Sequence, residues 1–354
     1  MLSLKSSYTR LLRSSKPIGI THYHNVVDSK KQPRKFLTHS DVDLICNPNK
    51  EYMDAFMKAY GTQRLNFKEN DIYMWRDAFG ANYETMFVCL KGTKRVIQTS
   101  HYINFEPVFP DIGCRHQYHG FLWIDPDFRG KDTMSLNAYC MRIQQRNFTD
   151  VVTGQCFPGA MNMFSKVHGT PIDQSCYTTY VSYYKPSEMR VPGELTFDGI
   201  TVKSAKEVPD EDITKYDQGI YPYERSKYML DNLRDPDGIG KVAYDDKGNV
   251  VGFGTVVIYP SGECMLNPLY ADDPKIAQAI FKSILEEIPL DDKKLLRFHI
   301  KSLEKYEYAY NWFQPFLKVP LRREVLAYGV YKGQPAIADY KRVFSSIAVT
   351  TSSV

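Results

Sequence analysis

The stretch Tyr118–Met134, YHGFLWIDPDFRGKDTM, contains the local signals that decide the fold. An apolar strand pattern ends at Asp125-Pro126, a basic turn follows at Arg129-Gly130-Lys131, and a helical pattern begins at Thr133. The first turn of a helix leaves backbone N–H groups without partners, and the helix dipole favours an anion at that end. A strand that leads through such a turn into a helix therefore predicts a phosphate-binding site.

The composition of the chain is that of a globular protein. Its 354 residues are enough for two domains of ordinary size, with 43% hydrophobic and 24% charged residues. No apolar run approaches the roughly 20 residues that span a bilayer, so the sequence predicts no transmembrane segment. The seven cysteines form no CxxC pair. This pattern indicates reduced thiols and an intracellular setting.

The basic residues of the chain are concentrated at its N-terminus. Residues 1–40 contain eight Lys or Arg and one acid, so this arm carries +7 and the rest of the chain −3, against +4 overall. The near-neutral remainder argues against a nucleic-acid partner for the folded part. The arm has two interpretations: a disordered basic terminus of a cytoplasmic protein, or an amphipathic mitochondrial presequence.

The chain beyond the arm divides into two halves with the same predicted order of elements. A Pro- and Gly-bearing linker at 186–199 separates a first domain, 41–185, from a second, 200–345, and a short tail covers 346–354. Each half has a strand, helices, a hairpin, and then a strand, helix, strand, helix and strand. This order predicts a repeated architecture, although no residue-level repeat is visible.

Hydrophobic periodicity places the individual elements. The strand patterns cover Asp41–Cys46, Thr85–Leu90, Arg95–Phe105, Val151–Phe157, Tyr177–Tyr184, Ile200–Lys203, Gly240–Asp245, Val250–Tyr259, Glu263–Leu269, Leu295–Ile300 and Val325–Tyr331. The helical patterns cover Glu51–Tyr60, Asn70–Phe79, 133–146, 160–167, Ile213–Leu233, Pro274–Glu287 and Leu303–Phe313.

This order of elements, with the turn at Arg129-Gly130-Lys131, resembles the GNAT N-acetyltransferase superfamily. The family's acyl-CoA signature, [R/Q]-x-x-G-x-[G/A], falls on Arg129 to Met134. Asp132 and Met134 stand where the signature has small residues. A carboxylate there would repel a pyrophosphate by about 1–4 kcal/mol at surface-like dielectric. Asp132 is also a suitable N-cap for the following helix.

The second half resembles a degenerate GNAT-like C-terminal domain. Gly252-Phe253-Gly254 and Leu266–Pro274, LNPLYADDP, carry this resemblance. The second of these segments stands where a pyrophosphate turn would be, but it contains neither Arg nor Gly. Together the two halves are similar to a nematode-type tandem GNAT-like family of unknown function.

The resemblance implies a fold and a cofactor. The fold would be α/β (α+β), with two GNAT-like domains, each a mixed, mostly antiparallel sheet flanked by helices. Acetyl-CoA or another acyl-CoA would be the co-substrate, with no metal, and its pantetheine arm would lie between Phe121–Asp125 and Val151–Phe157. The cofactor contacts would come from Phe121, Leu122, Trp123, Ile124, Arg129, Gly130, Lys131, Asp132 and Thr133.

Two residues are candidates for proton transfer, because an amine acceptor must lose a proton to a general base. His119 lies on the fourth strand of the first half, and Glu106 ends the third. Each also has a structural interpretation, as a packed strand residue and as a loop residue. Cys114, His116 and His119 do not predict a metal site, because a strand turns residues 116 and 119 to opposite faces.

Two functions remain open from the sequence. The first is an N-acyltransferase that moves an acetyl or other acyl group from CoA to a small-molecule or peptide amine. The second is a non-catalytic protein with a degenerate GNAT fold that binds acyl-CoA, another small molecule or a partner protein. The sequence carries no signal for an oligomeric state.

Overall fold

The computed structural model describes residues 37–60, 67–129, 151–156, 158, 178–303, 311–332 and 335–347. Four of the predicted features lie outside these ranges: the basic arm up to residue 36, the helices at 133–146 and 160–167, and the turn residues 130–133. Most of the helix predicted at Leu303–Phe313 and the last residues of the tail also lie outside them.

The described part of the first half contains two helices and six strands. Helix α1 (Lys50–Tyr60) buries Met53, Phe56 and Tyr60, and helix α2 (Glu69–Phe79) buries Ile72, Trp75 and Phe79, as their spacing predicts. The strands are β1 (Val42–Cys46), β2 (Tyr83–Leu90), β3 (Val96–Phe105), β4 (His116–Ile124), β5 (Val151–Cys156) and β6 (Thr178–Tyr184).

The second half has three described helices and seven strands. The helices are α3 (Asp210–Gln218), α4 (Ser226–Leu233) and α5 (Pro274–Leu285). The strands are β7 (Thr201–Ser204), β8 (Gly238–Tyr244), β9 (Val250–Ile258), β10 (Glu263–Ala271), β11 (Arg297–Leu303), β12 (Glu324–Lys332) and β13 (Val343–Ser345).

Two features of the second half differ from the sequence prediction. The helical region predicted at Ile213–Leu233 is two helices, because the segment between them contains Pro222, which lacks an N–H group and does not continue a helix. Strand β13 was not predicted, since a strand of three residues is too short to show a period.

All strands in the described ranges belong to one mixed, mostly antiparallel sheet. Its order is β1-β2-β3-β4-β5-β12-β6-β11-β10-β9-β8-β7, with β13 paired to β10. The β4–β5 and β10–β11 pairs are parallel. The fold class is therefore confirmed, but the two predicted sheets are joined into one. The sixth strand of each half pairs with the fifth strand of the other half, which makes the sheet continuous.

Helices α1 to α4 share one hydrophobic core on the sheet. This core includes Phe56 of α1, Trp75 of α2, Ile213 of α3 and Met229 of α4, all buried. Helix α5 packs with a second core that includes Phe298 and Ile300 of β11.

Helices α2 and α4 come from different halves and run antiparallel to each other. Lys68, just before α2, pairs with Asp235, just after α4, at 2.9 Å. At the opposite ends, Lys227 pairs with Asp77 at 2.8 Å. The two halves are thus joined through their helices as well as through the sheet.

The segment predicted as a linker packs against the second half. Pro186 and Met189 are buried, and Met189 forms a β-bridge with Leu317. The N–H group of Arg190 donates to the Phe316 carbonyl at 2.9 Å. The division into two domains at this segment stays a prediction, because the sheet passes from one half to the other without a break.

Candidate functional site

Strands β4 and β5 begin as a parallel pair and then lose contact. His116 to His119 are in register with Val151 to Gly154. Strand β4 continues to Ile124, and in the described part of the chain it pairs beyond His119 with β3 alone. The region where 120–124 and 155–156 are no longer paired with each other is named the first opening.

A β-bulge in β4 lies beside the first opening. The register with β3 shifts between Thr99 and His101, so that Phe121 and Leu122 together face one residue of β3. Phe121 has φ +54°, a conformation that is strained for a residue with a side chain. The Thr99 hydroxyl donates to the Phe121 carbonyl at 2.9 Å and holds this conformation. Bulges of this kind redirect the backbone next to functional sites.

The predicted cofactor strand turns alternate side chains into the core. Phe121 and Trp123 are buried, and both contact Phe56 of α1 edge-to-face. Leu122 and Ile124 are half-buried. A ligand in the first opening would therefore meet the backbone edge of this strand, because the Phe121 and Trp123 side chains are used in packing.

The turn after β4 is fixed by one arginine. Arg95 pairs with Asp125 at 3.2 Å and with Asp127 at 2.8 Å, and its guanidinium lies 4.8 Å from the centre of the Phe128 ring. The Asp125 carboxylate also accepts from the Asp127 N–H group at 2.9 Å. Arg129 then donates through Nε to the Ile124 carbonyl at 3.0 Å.

The remaining predicted phosphate-site residues, Gly130, Lys131, Asp132 and Thr133, lie outside the described residues. Arg129 is therefore the predicted phosphate contact whose position is known. It lies directly after the turn that follows β4, at the end of the first opening that is farther from His119.

The two candidate catalytic residues do not converge. His119 lies opposite Tyr102 in the sheet, and its Nε2 shares a hydrogen bond of 2.7 Å with Oε1 of Gln117. Glu106 is exposed, and its carbonyl accepts from the Glu224 N–H group at 2.8 Å. Because Glu106 is four residues beyond Tyr102, it lies roughly 13 Å farther along the sheet. Their catalytic roles stay predictions.

His116 occupies a position that the sequence did not mark as functional. It is fully buried, its Nδ1 hydrogen-bonds the Tyr221 hydroxyl, and its Nε2 hydrogen-bonds the Thr153 hydroxyl. Burial, followed by the charge of Arg225, lowers the pKa of His116 to about 3. A neutral His116 therefore ties β4 to β5 just before the first opening, and ties both strands to the α3–α4 loop.

A buried ion pair adjoins His116. Arg225 donates to both carboxylate oxygens of Asp217, at 2.9 and 2.8 Å, and its guanidinium lies 4.2 Å from the centre of the Tyr221 ring. The two side chains are 0% and 2% exposed. A bidentate pair in this setting fixes the α3–α4 loop against the base of β4.

A second polar cluster lies at the start of β10 and β11. Glu263 accepts hydrogen bonds from His299 and from Arg297, and the Arg297 guanidinium lies 4.7 Å from the centre of the Tyr183 ring. Burial raises the pKa of Glu263, but these hydrogen bonds outweigh burial and its pKa is lowered. In the sequence, Arg297 and His299 alternate on one strand, so they point to the same face. Their partner Glu263 can be identified only when β10 is known to lie beside that strand.

Strands β10 and β11 form a second opening that matches the first in construction. They are parallel and in register from Glu263 to Met265, and β10 then has a register shift between Leu266 and Leu269. Beyond that shift β10 pairs with β13, the last described strand of the chain. The second opening is therefore occupied by the protein's own backbone.

Two further properties of the described ranges concern membrane-spanning helices and metal-binding groups. No helix there is long and apolar enough to cross a membrane. No group of three or more His, Cys, Asp or Glu side chains in those ranges is arranged to hold a metal ion.

The fold and the paired openings define the chain as a protein with a GNAT acetyltransferase fold. A family profile described as acetyltransferase (GNAT) domain matches residues 213–308, which contain most of α3 and all of α4 to β11. The chain belongs to the family described as protein of unknown function (DUF1248), whose profile matches residues 39–220. No curated protein matches the chain.

Solved structures share this fold over most of their length. A putative acetyltransferase from Pyrococcus horikoshii is 11% identical with TM-score 0.61, covering 91% of this chain and 99% of that one. A tandem GNAT protein from the clavulanic acid biosynthesis pathway is 10% identical with TM-score 0.59, covering 82% and 97%. Saccharomyces cerevisiae N-myristoyltransferase, with bound myristoyl-CoA, is 12% identical with TM-score 0.54, covering 92% and 90%. At these identities the similarity shows the fold alone.

Proposed function

We propose that the protein is an N-acyltransferase that holds an acyl-CoA in its first opening and transfers the acyl group to an amine. One observation carries the proposal: the parallel pair β4–β5 separates after His119, beside the bulge at Phe121 and ahead of the turn that ends at Arg129. A parallel pair that separates beside a bulge is a place where an extended ligand can lie along the edge of a strand.

The ligand would lie along the first opening with its phosphates at the turn. The pantetheine arm would run between 120–124 and 155–156, and the pyrophosphate would lie at 129–133, where Arg129 and Lys131 supply positive charge. Asp132 would weaken that attraction. The bound myristoyl-CoA in the yeast neighbour supports an acyl-CoA as a ligand of this fold.

The proposed reaction is a direct transfer. The amine nitrogen attacks the thioester carbonyl carbon, the C–N bond forms, the C–S bond breaks, and CoA leaves as the thiol after one proton moves from nitrogen to sulfur. His119 is the proposed base for that proton. Its bond to Gln117 fixes one ring nitrogen and thereby the orientation of the ring.

Titration of the protein with acetyl-CoA tests the binding step. We expect measurable heat and a thermal shift, and we expect Arg129→Glu to abolish both while circular dichroism stays unchanged. Lys247→Glu, at an exposed position in the β8–β9 turn, is the control for the charge reversal. The absence of heat and thermal shift at millimolar acetyl-CoA would sink the proposal.

A second candidate function is acyl-CoA binding without transfer. It is favoured by the distance between His119 and Glu106, because the two cannot act together and His119 would have to transfer the proton alone. Release of free CoA thiol with a panel of small amines and peptide N-termini decides between the two. Thiol release that depends on the amine and is lost in His119→Ala supports transfer, and binding without release supports the second candidate.

The acceptor and the location of the protein are also proposals. A small-molecule or peptide amine is the acceptor class that the GNAT fold suggests. We place the protein in the cytoplasm, with mitochondrial import of the basic arm as the alternative. A fluorescent fusion of residues 1–30 separates them, because a diffuse cytosolic signal rules out import by this segment.

A further inference from the structure

Strand β13 is bonded to both walls of the second opening. Leu269 and Tyr270 of β10 are in register with Ser345 and Val343. The Ser345 hydroxyl donates to the Leu266 carbonyl at 3.1 Å and accepts from the Lys301 N–H group at 3.2 Å. The Ser346 N–H group donates to the Lys301 carbonyl at 3.2 Å. Residues 343–347 are all buried, so this segment fills the space between β10 and β11.

The segment follows the path that a ligand would take in the first opening. It is antiparallel to β10, so Arg342 lies by the turn that leads into α5, and Ser345 lies by the β10 register shift. In the first opening, the proposed acyl-CoA would likewise run from the turn at Arg129 to the bulge at Phe121. The peptide backbone thus stands where the first half would hold a pantetheine arm.

The charges at the turn fit a cationic segment. Asp272 pairs with Arg342 at 2.7 Å and accepts from the Tyr216 hydroxyl at 2.9 Å. The Arg342 guanidinium lies 4.3 Å from the centre of the Tyr216 ring. Asp273 caps α5 by accepting from the Ile276 N–H group at 2.9 Å. Two carboxylates at this turn attract an arginine and repel a pyrophosphate.

We propose that the second opening is a peptide-binding slot, that its occupant is the chain's own segment Tyr340–Ile347, and that it does not take acyl-CoA. Strand addition supplies main-chain hydrogen bonds, and the Asp272–Arg342 pair selects the occupant by charge. The chain then binds one acyl-CoA, in the first opening. That stoichiometry rests on the proposed function, whereas the slot and its occupant do not.

Amide hydrogen exchange of residues 340–347 in the full chain tests the slot. Arg342→Asp and Asp272→Arg each place like charges together, and we expect each to accelerate exchange of this segment about tenfold by easing local opening. The double variant restores an opposite pair and should return exchange to within about threefold of wild type. Lys341→Asp, at the exposed neighbouring position, is the control and should leave exchange unchanged.

The outcomes of this experiment are separable. Acceleration in both single variants with restoration in the double variant supports the slot. Unchanged exchange in the single variants, or a double variant as fast as either single one, overturns it. Exchange of α5 serves as the fold control, because loss of protection there would report general unfolding instead of release of the segment.

Calorimetric titration with acetyl-CoA tests what the slot accepts. We expect one molecule per chain for the wild type and still one for Arg342→Asp, because opening the slot exposes Asp272 to the pyrophosphate. Two molecules for either protein would overturn the proposal. If the wild type binds none, the proposed function fails, while the exchange experiment still decides whether the segment occupies the slot.

Discussion

Replacement of Lys301 by Met should change the stability of the protein in a pH-dependent way. Lys301 is 3% exposed in the middle of β11, beside the segment that fills the second opening. Its Nζ is 3.4 Å from Oδ1 of Asn267, to which it donates. Burial lowers the pKa of Lys301 from its ordinary 10.5 to about 7, so the folded protein resists protonation of this amine.

The magnitude follows from the two pKa values. The unfolded chain binds the proton below pH 10.5 and the folded chain below about pH 7, so wild-type stability rises with pH between these values. At about 1.4 kcal/mol per pH unit, the charged lysine costs at most about 5 kcal/mol at pH 6 and about 1 kcal/mol at pH 10. Met removes this cost but leaves Asn267 without its donor, a loss of about 1–3 kcal/mol at either pH.

The free energy of unfolding of Lys301→Met minus that of the wild type should therefore fall by up to about 4 kcal/mol from pH 6 to pH 10, because the wild type gains stability as the pH rises. Urea unfolding of both proteins at several pH values measures it, and other titrating groups cancel in the difference. Lys206→Met, at an exposed position, is the control and should show no such trend. A difference for Lys301→Met that is constant with pH would refute the inference that the buried amine is neutral above pH 7.

Three further experiments use variants of buried residues and of two turn glycines. Arg225→Met leaves the buried Asp217 carboxylate without its arginine and should lower the free energy of unfolding, measured with urea, by about 3–5 kcal/mol. The double variant with Asp217→Asn should recover part of this loss. If the losses of the two single variants simply add, the pairing is contradicted. His116→Gln should reduce the loss of stability at acid pH. In the wild type His116 stays neutral to about pH 3 in the folded protein, whereas it is protonated near pH 6.5 in the unfolded chain, so the free energy of unfolding falls by about 3 kcal/mol by pH 4. The same fall in the variant would contradict this. Gly262 and Gly248 have similar positive φ values, +84° and +81°. Of the two, only Gly262 has no room for a Cβ, which would lie 2.0 Å from the Lys294 carbonyl oxygen. Gly262→Ala should therefore be less stable than Gly248→Ala by about 1–3 kcal/mol, and equal thermal midpoints would contradict the overlap.

Elements with a full hydrophobic period were predictable from the sequence. Helix α5 shows this most clearly, because its apolar positions recur at helical spacing and its observed start, Pro274, is the predicted one. The break between α3 and α4 was not recognised, although Pro222 marks it. The joining of the halves was not predictable, because nothing local to β6 or β12 specifies that each pairs with a strand of the other half.

In the candidate site, too, features formed by adjacent residues were predictable and contacts between distant residues were not. The end of β4 and the turn that leads to Arg129 were recognisable because strand, turn and basic residue are adjacent in the sequence. The contacts of His116 were not, since Tyr221 and Thr153 are distant in the chain and meet only through the joined sheet. The same holds for Glu263 and His299, which come from two neighbouring strands.

The contrast between the two openings shows that strand geometry alone does not identify a ligand in this fold. Both openings have a parallel pair and an irregularity in the strand before the turn. They differ at the turn, where the first has the bases Arg129 and Lys131 beside one acid, Asp132, and the second has two adjacent acids, Asp272 and Asp273. A polyanion and an arginine-bearing strand require opposite charges there, and the second opening contains the arginine. We therefore expect the charge at this turn to separate the proposed cofactor site from the proposed peptide slot.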